Sequence, residues 1–259
     1  MWLEAKQPFV KNMDLDRWPK LQELTPEYLK DRYPHVQIPV YHSGIEQGPV
    51  AYKKQYLAEY IDDIQSAQNH TRDPQDIYYL GESHDWVEAL EIKQIFTDYI
   101  RPLLPRHAFA LQTPFWLGPK GSKTGLHAEP DGWNFLCQFY GEKEVVLVSP
   151  AHAHLIPRST RFDGGGKTAL MDIWAPTQRE NSPLLKETQP LVFHLKPGDI
   201  LFIPRWWWHA ARNTTTSIAF SYRVETIGST FLNIPSLCLI ALHNLGLYKN
   251  NNCTCHTPE

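Results

Sequence analysis

Between residues 109 and 224 the chain divides into seven short runs rich in apolar, β-branched and aromatic residues: FALQTPFWLG (109–118), TGLHAEP (124–130), WNFLCQFYG (133–141), EVVLVSP (144–150), LVFHLK (191–196), DILFIP (199–204) and SIAFSYRV (217–224). Turn-forming residues separate them, including Gly118-Pro119, Gly121, Asp131-Gly132, Gly141 and Pro197-Gly198-Asp199. Runs of this length between Gly, Pro and Asp clusters read as strands. No long helical repeat alternates with them, which argues against a parallel sheet with crossover helices and for an antiparallel sandwich or barrel. The stretch 151–190, with Gly164-Gly165-Gly166 inside it, follows no such pattern and reads as a long insertion over the barrel, a common place for function.

Helical spacing flanks the β region on both sides. The first ~48 residues are rich in Pro and turn signals and read as a lead-in, with one extended piece, VQIPVY at 36–41. From Pro49 the pattern turns helical: Tyr56, Leu57, Tyr60, Ile61 and Ile64 share one face. IYYL at 77–80 reads as a strand, and Ala89, Ile92, Phe96, Tyr99 and Ile100 as the face of a second helix closed by Pro102 and Pro105. After residue 228, Ile234, Leu237, Cys238, Ala241 and Leu245 form an apolar stripe that has to pack on the barrel or on a second subunit. The expected organisation is therefore 1–107 as lead-in and helices, 108–227 as the β core, and 228–259 as a helical segment with a frayed tail.

A net charge of −3, with Lys and Arg scattered, leaves no electrostatic footprint for nucleic acid. No segment has the length and apolarity of a membrane span. The first residues lack a basic region followed by an apolar stretch, so an intracellular protein, cytoplasmic or nuclear, is expected. Cys137 and Cys238 lie in apolar runs and read as two buried thiols in a reducing compartment.

Chemistry concentrates at His127-Ala128-Glu129 and at His209, which closes the stretch RWWWH (205–209). Alternate residues of a strand share a face, so His127 and Glu129 converge on one side of theirs. Two histidines and one carboxylate, leaving half of a coordination sphere open, suit a non-haem Fe(II) oxygenase. By itself the His-x-Glu triplet is weak, because the chain has 12 histidines. If residues 206–209 stay extended, Trp207 faces the same chamber as His209, while Trp206 and Trp208 pack the other way. Lys143 would share a face with Val145 and Leu147, a cation in an apolar interior that needs an anionic partner. Strict alternation puts Thr124 on the face opposite His127.

GPKGSKTGLHAEPDGWNFLCQFYGEKEVVLVSP, followed by LKPGDILFIPRWWWHAARN, resembles the cupin-like JmjC oxygenases, most of all the small hydroxylase branch typified by factor inhibiting hypoxia-inducible factor. The resemblance implies a double-stranded β-helix, or jelly-roll, core. It implies that His127, Glu129 and His209 bind Fe(II), that Lys143 pairs with the far carboxylate of 2-oxoglutarate, and that Thr124 and Asn134 also contact this cosubstrate. Two positions depart from the branch. Glu129 stands where the hydroxylases mostly carry Asp, and Ala219 in IAFSYR stands where they present another polar contact, a role that Ser221 or Arg223 could fill instead.

The activity so implied is oxidative decarboxylation of 2-oxoglutarate by dioxygen, coupled to hydroxylation of a substrate, or to demethylation through hydroxylation, with lysine demethylation the less favoured outcome. A protein is the favoured substrate, with RNA or a small molecule as alternatives, and the C-terminal helices offer a homodimer contact. The competing reading is a catalytically inactive cupin-like binding protein that keeps the fold, motivated by Ala219.

Overall fold

The computed structural model describes residues 2–17, 19–42, 52–68, 78–83, 96–129, 132–164, 166–175, 182–249 and 252–253. Among them, two antiparallel sheets lie face to face in a jelly-roll-like arrangement. The larger runs in the order β1 (Phe9–Asn12), β12 (Asp199–Ile203), β8 (Trp133–Tyr140), β14 (Ser217–Thr226), β6 (Phe115–Gly118), β4 (Tyr78–Ser83), β2 (Gln37–His42), β3 (Tyr52–Tyr56), with β5 (Ala108–Gln112) also paired to β14. The smaller runs β10 (Lys167–Thr168), β7 (Lys123–Ala128), β13 (Trp208–Asn213), β9 (Lys143–Val148), β11 (Leu191–Leu195). The helices are α1 (Pro19–Gln22), α2 (Pro26–Arg32), α3 (Leu57–Gln68), α4 (Pro183–Glu187), α5 (Ile227–Leu232) and α6 (Ile234–Asn244).

Strand alternation sorts the side chains into three apolar layers. Phe135, Cys137 and Phe139 of β8 and Phe220, Tyr222 and Val224 of β14 leave the large sheet on its outer face, where Leu29 of α2 and Ile61 and Ile64 of α3 cover them. Val146 and Val148 of β9 with Trp208 and Ala210 of β13 leave the small sheet outward, beneath Ile156, Met171, Ile173 and Leu184. The irregular stretch after residue 150 is thus a cover packed on the small sheet. Between the sheets lie Leu136, Val145, Leu147, Leu195, Leu201, Ile203 and Ala219. The parity that sends apolar residues outward also turns Asn134, Lys143, His209, Ser221 and Arg223 inward.

Several elements differ from the sequence reading. The segment Tyr52–Tyr56 is a strand paired along β2, and the helix begins only at Leu57, since cross-strand pairing overrides the helical spacing that Tyr56 suggested; Pro49 lies outside the described residues. FALQTPFWLG is two strands, not one, because Pro114 cannot donate to a ladder and breaks the run. Where the second helix is expected, Phe96–Ile100 forms a single π-helical turn, and Ala89 and Ile92 lie outside the described residues. The lead-in contributes β1, which pairs with β12, and α2, whose first turn is capped by the Thr25 hydroxyl accepting from the Tyr28 N–H. Cys137 is buried, as expected, but Cys238 is exposed, because α6 turns its apolar stripe away from the barrel. In the tail, expected to be frayed, Cys253 is buried and bridges to Phe162. No helix among the described residues is long and apolar enough to cross a membrane.

Candidate metal centre

His127 of β7 and His209 of β13 are directly opposed across the strand pair, with ring centroids 4.2 Å apart. Each ring is fixed in the same way. His127 Nδ1 lies 2.9 Å from the Gly125 carbonyl and His209 Nδ1 lies 3.0 Å from the Trp207 carbonyl. A carbonyl only accepts, so Nδ1 carries the hydrogen in both neutral rings and each Nε2 keeps a lone pair. Glu129, just beyond the end of β7, brings Oε1 to 3.8 Å from His127 Nε2. The donor atoms of His127, Glu129 and His209 all lie within 4.8 Å of one another. Two imidazole nitrogens and a carboxylate at that spacing fit a divalent first-row metal with open positions.

The electrostatics keep Glu129 ionised and His209 neutral. Burial would push the Glu129 carboxyl up, but the Arg223 guanidinium in contact with it, aided by the imidazoles, holds it down at about 2. Burial and the neighbouring His127 ring lower His209 to about 4, so it is neutral near neutral pH. A neutral imidazole is what a metal requires.

The three donors sit in the wall of a cleft of about 440 Å³, counting its open mouth, within the range of small-ligand sites. Lys143 reaches it from β9, only 2% exposed, and donates to Asn213 Oδ1 at 2.5 Å, with the Tyr79 hydroxyl at 3.5 Å. Burial alone lowers the lysine to about 7. Among the described residues no carboxylate pairs with it, so the cleft holds a buried cation opposite a cluster of metal donors. Asn134 also lines the cleft, and its side-chain oxygen is buried without a hydrogen-bond partner among the described residues. An ammonium without a carboxylate partner among the described residues is a group that an anionic, multiply accepting ligand would satisfy, and the Asn134 side-chain amide has N–H groups that could donate to the same ligand.

Thr124 lines the same cleft, contrary to the strict alternation expected of β7. The pairing shows why: His127 opposes His209, but Thr124 opposes Ala211, so three steps along β7 match two along β13. The extra residue is a β-bulge, which turns Thr124 to the face of His127. Trp207 is absent from the cleft wall. RWWWH is not one extended piece: Trp206 adopts a left-handed backbone with φ 63°, and β13 starts at Trp208. The turn sends the Trp207 indole to the Lys6 carbonyl, 3.2 Å from Nε1, in the inter-sheet core. Trp208 fills the outer cluster, and Trp206 lies under the Lys167 ammonium, 4.6 Å from its ring.

Ala219 is fully buried in the inter-sheet core, and Ser221 and Arg223 of the same strand line the cleft in its stead. The Ser221 hydroxyl accepts from Trp116 Nε1 at 3.1 Å. Three contributors escaped the sequence reading. Tyr79 and Trp116, stacked at 5.6 Å, lie outside both motif blocks, Tyr79 on the remote β4 and Trp116 on β6 just ahead of the first block. Asn213 could have been found by counting in twos from His209 along β13.

A cupin-like domain matches residues 2–223. Over 226 residues the chain is 28% identical to Jumonji C domain-containing protein 5 of Drosophila melanogaster, covering 85% of this chain and 55% of that protein. It is 26% identical over 231 residues to lysine-specific demethylase 8 of Xenopus tropicalis, covering 85% and 48%. Over 127 residues it is 30% identical to the bifunctional arginine demethylase and lysyl-hydroxylase psr-1 of Caenorhabditis elegans, covering 47% and 31%. The chain spans about half the length of the first two relatives. Inward-facing donors between two antiparallel sheets and the domain match over residues 2–223 lead to one assignment: the chain belongs to the cupin-like domain family.

Proposed function

We propose that the chain is an Fe(II)- and 2-oxoglutarate-dependent oxygenase that hydroxylates a protein side chain, in the small hydroxylase branch that its motifs resemble. The observation that carries this reading is the juxtaposition, in one cleft, of the His127, Glu129 and His209 donors with the buried Lys143 ammonium. His127, Glu129 and His209 would hold the iron. Lys143, Thr124 and Asn134, joined by Tyr79, would hold the dicarboxylate. Together with 2-oxoglutarate and dioxygen the iron supplies the oxidising power to hydroxylate a C–H bond, with succinate and carbon dioxide as co-products.

The chain's own residues supply the setting. Lys143 and Asn134 provide charge and polar atoms at one end of the cleft, and the backbone carbonyls of Gly125 and Trp207 lock both imidazole rings. Leu136, Val145 and Ile203 line the rest of the wall and limit water there. Relatives named as demethylases make hydroxylation of an N-methyl group, followed by loss of formaldehyde, the second outcome for the same site.

The test is succinate formation from 2-oxoglutarate, together with anaerobic titration of 2-oxoglutarate into the Fe(II) protein. A visible charge-transfer band, lost in His127→Ala and His209→Ala, supports the reading. No band in the unaltered protein would instead favour a cupin-like binding protein without catalysis.

The C-terminal helices support a second part of the proposal, a homodimer. Ile227, Phe231, Leu232, Ile234, Leu237, Leu242, Leu245 and Leu247 are between 41% and 77% exposed. Their combined apolar surface is on the order of the ~800 Å² per partner that a standard interface buries, above the largest patch of a typical monomer. No Lys, Arg, Asp or Glu occurs between Glu225 and Lys249. A surface without charge is complementary to a second copy of itself across a two-fold axis. Thiols at Cys137 and Cys238, in no disulfide among the described residues, fit a cytoplasmic or nuclear protein.

A further inference from the structure

Arg223 is the residue of the cleft that the proposed chemistry leaves without a task. It projects inward from β14, its side chain 13% exposed, and its Nη2 contacts Oε1 of Glu129. That oxygen is also the one that faces His127 Nε2 at 3.8 Å. The guanidinium therefore contacts the carboxylate oxygen that lies toward the imidazole donors, the one through which Glu129 would reach a metal held beside His127.

The charge balance of the cleft leads the same way. Its charged lining side chains are Glu129, Lys143 and Arg223, a net charge of one positive with the imidazoles neutral. A divalent cation arriving alone would enter a site already positive and would have to displace Arg223 from its counter-ion. A dianion arriving in the same cleft gives both cations a partner and lowers the cost of releasing Glu129.

We propose that Arg223 makes metal loading and anion loading interdependent, by competing with the metal for Glu129 until a dicarboxylate enters the cleft. The inference rests on the metal-centre reading above. Arg223 is in this view a positioning residue that acts through Glu129. Reciprocity requires the dicarboxylate to strengthen metal binding by the same factor as the metal strengthens dicarboxylate binding. The opposing role, a guanidinium that orients Glu129 for the metal from behind, predicts the opposite sign on removal.

The experiment measures Mn(II) binding to the whole chain by the loss of the free-ion magnetic resonance signal, with and without oxalylglycine, an unreactive dicarboxylate analogue. Unaltered protein, Arg223→Met and Arg223→Lys are compared, and thermal unfolding of the metal-free proteins reports their folding. Arg223→Met is expected to bind Mn(II) alone roughly tenfold or more tightly than the unaltered protein, and the strengthening by oxalylglycine is expected to shrink by a similar factor. Arg223→Lys should fall between the two, and it carries the test if the methionine variant does not fold. Equal or weaker Mn(II) binding by the variants overturns the role of Arg223 and leaves the metal centre standing. No Mn(II) binding by any of the proteins, with or without the analogue, overturns both.

Discussion

The carboxylate of Glu225, at the end of β14, accepts the backbone N–H of Gly132 at 2.6 Å. Gly132 lies three positions beyond Glu129 in the chain. Its φ of +57° and the Val224 carbonyl, which an added Cβ would meet at 2.2 Å, admit no other residue. The other oxygen of Glu225 faces the Arg205 guanidinium at 3.3 Å, at the turn that leads to His209. Asn233 and Ser229 from the C-terminal helices complete the network. One buried side chain thus braces the backbone beside two of the three metal donors.

Glu225→Ala should take the acceptor from the Gly132 N–H and the carboxylate from Arg205, which would keep Asn233 Oδ1 at 2.7 Å, at a cost of about 3–5 kcal/mol for breaking a buried ion pair. Urea unfolding measures it. Because both donor loops lose their brace, Mn(II) binding should weaken as well, even though Glu225 is not one of the proposed ligands. A stability loss with unchanged Mn(II) affinity would show that the brace does not reach the donors.

Lys143 sets a pH dependence. Burial lowers it from 10.5 to about 7, with Asn213 Oδ1 and the Tyr79 hydroxyl as its polar neighbours among the described residues. Below pH 7 the folded and unfolded chains both carry the proton, and the fold bears the full cost of the buried charge. As pH rises from about 7 toward the unfolded value, the folded chain releases its proton first, so stability from this group increases across that window. Denaturant midpoints on either side of pH 7 should show the rise. Lys143→Met should abolish it, raise stability at the low end, and lose binding of oxalylglycine.

Thr124→Val keeps the shape of the side chain and removes the hydroxyl. It should weaken oxalylglycine roughly tenfold, the size of a hydrogen bond to a charged group, while Mn(II) affinity stays as it was. Calorimetry with each ligand separates the two. Equal losses for both ligands would place Thr124 at the metal end of the cleft.

Leu232→Glu, at the most exposed apolar position of the C-terminal helices, 77% exposed, should leave the fold intact and convert a dimer into a monomer. Light scattering after size exclusion measures the mass. A monomer before substitution would refute the dimer, and binding to neutral lipid vesicles by that monomer would identify a membrane surface as the occupant.

The legible parts of this chain are those written in local alternation. β8, β9 and β14 were marked by runs such as WNFLCQFY and EVVLV, whose alternate residues reach different layers, and the same count of twos brought Lys143 and Glu129 inward. The parts that were hidden depend on departures from that count or on distant partners. Trp206 takes a left-handed conformation with no glycine or asparagine to announce it, so RWWWH read as one strand and Trp207 as a wall of the chamber. β1 is a short edge strand, FVKN, that gains its identity only from pairing with β12. Tyr79 sits in IYYL, where nothing polar hints at a cleft 64 residues away in sequence at Lys143.

The extra residue in β7 divides that strand into two separately adjustable halves. His127 keeps its place because it is opposed to His209, whereas Thr124 depends on one surplus position for its side of the sheet. Pulling the bulge out at unchanged length would restore strict alternation, turn the threonine outward and leave the histidine pair in register, whereas deleting one residue between them would keep both on one face. Metal capture and recognition of the organic acid can therefore be lost or altered independently, by loss of the bulge alone and with no substitution of any donor.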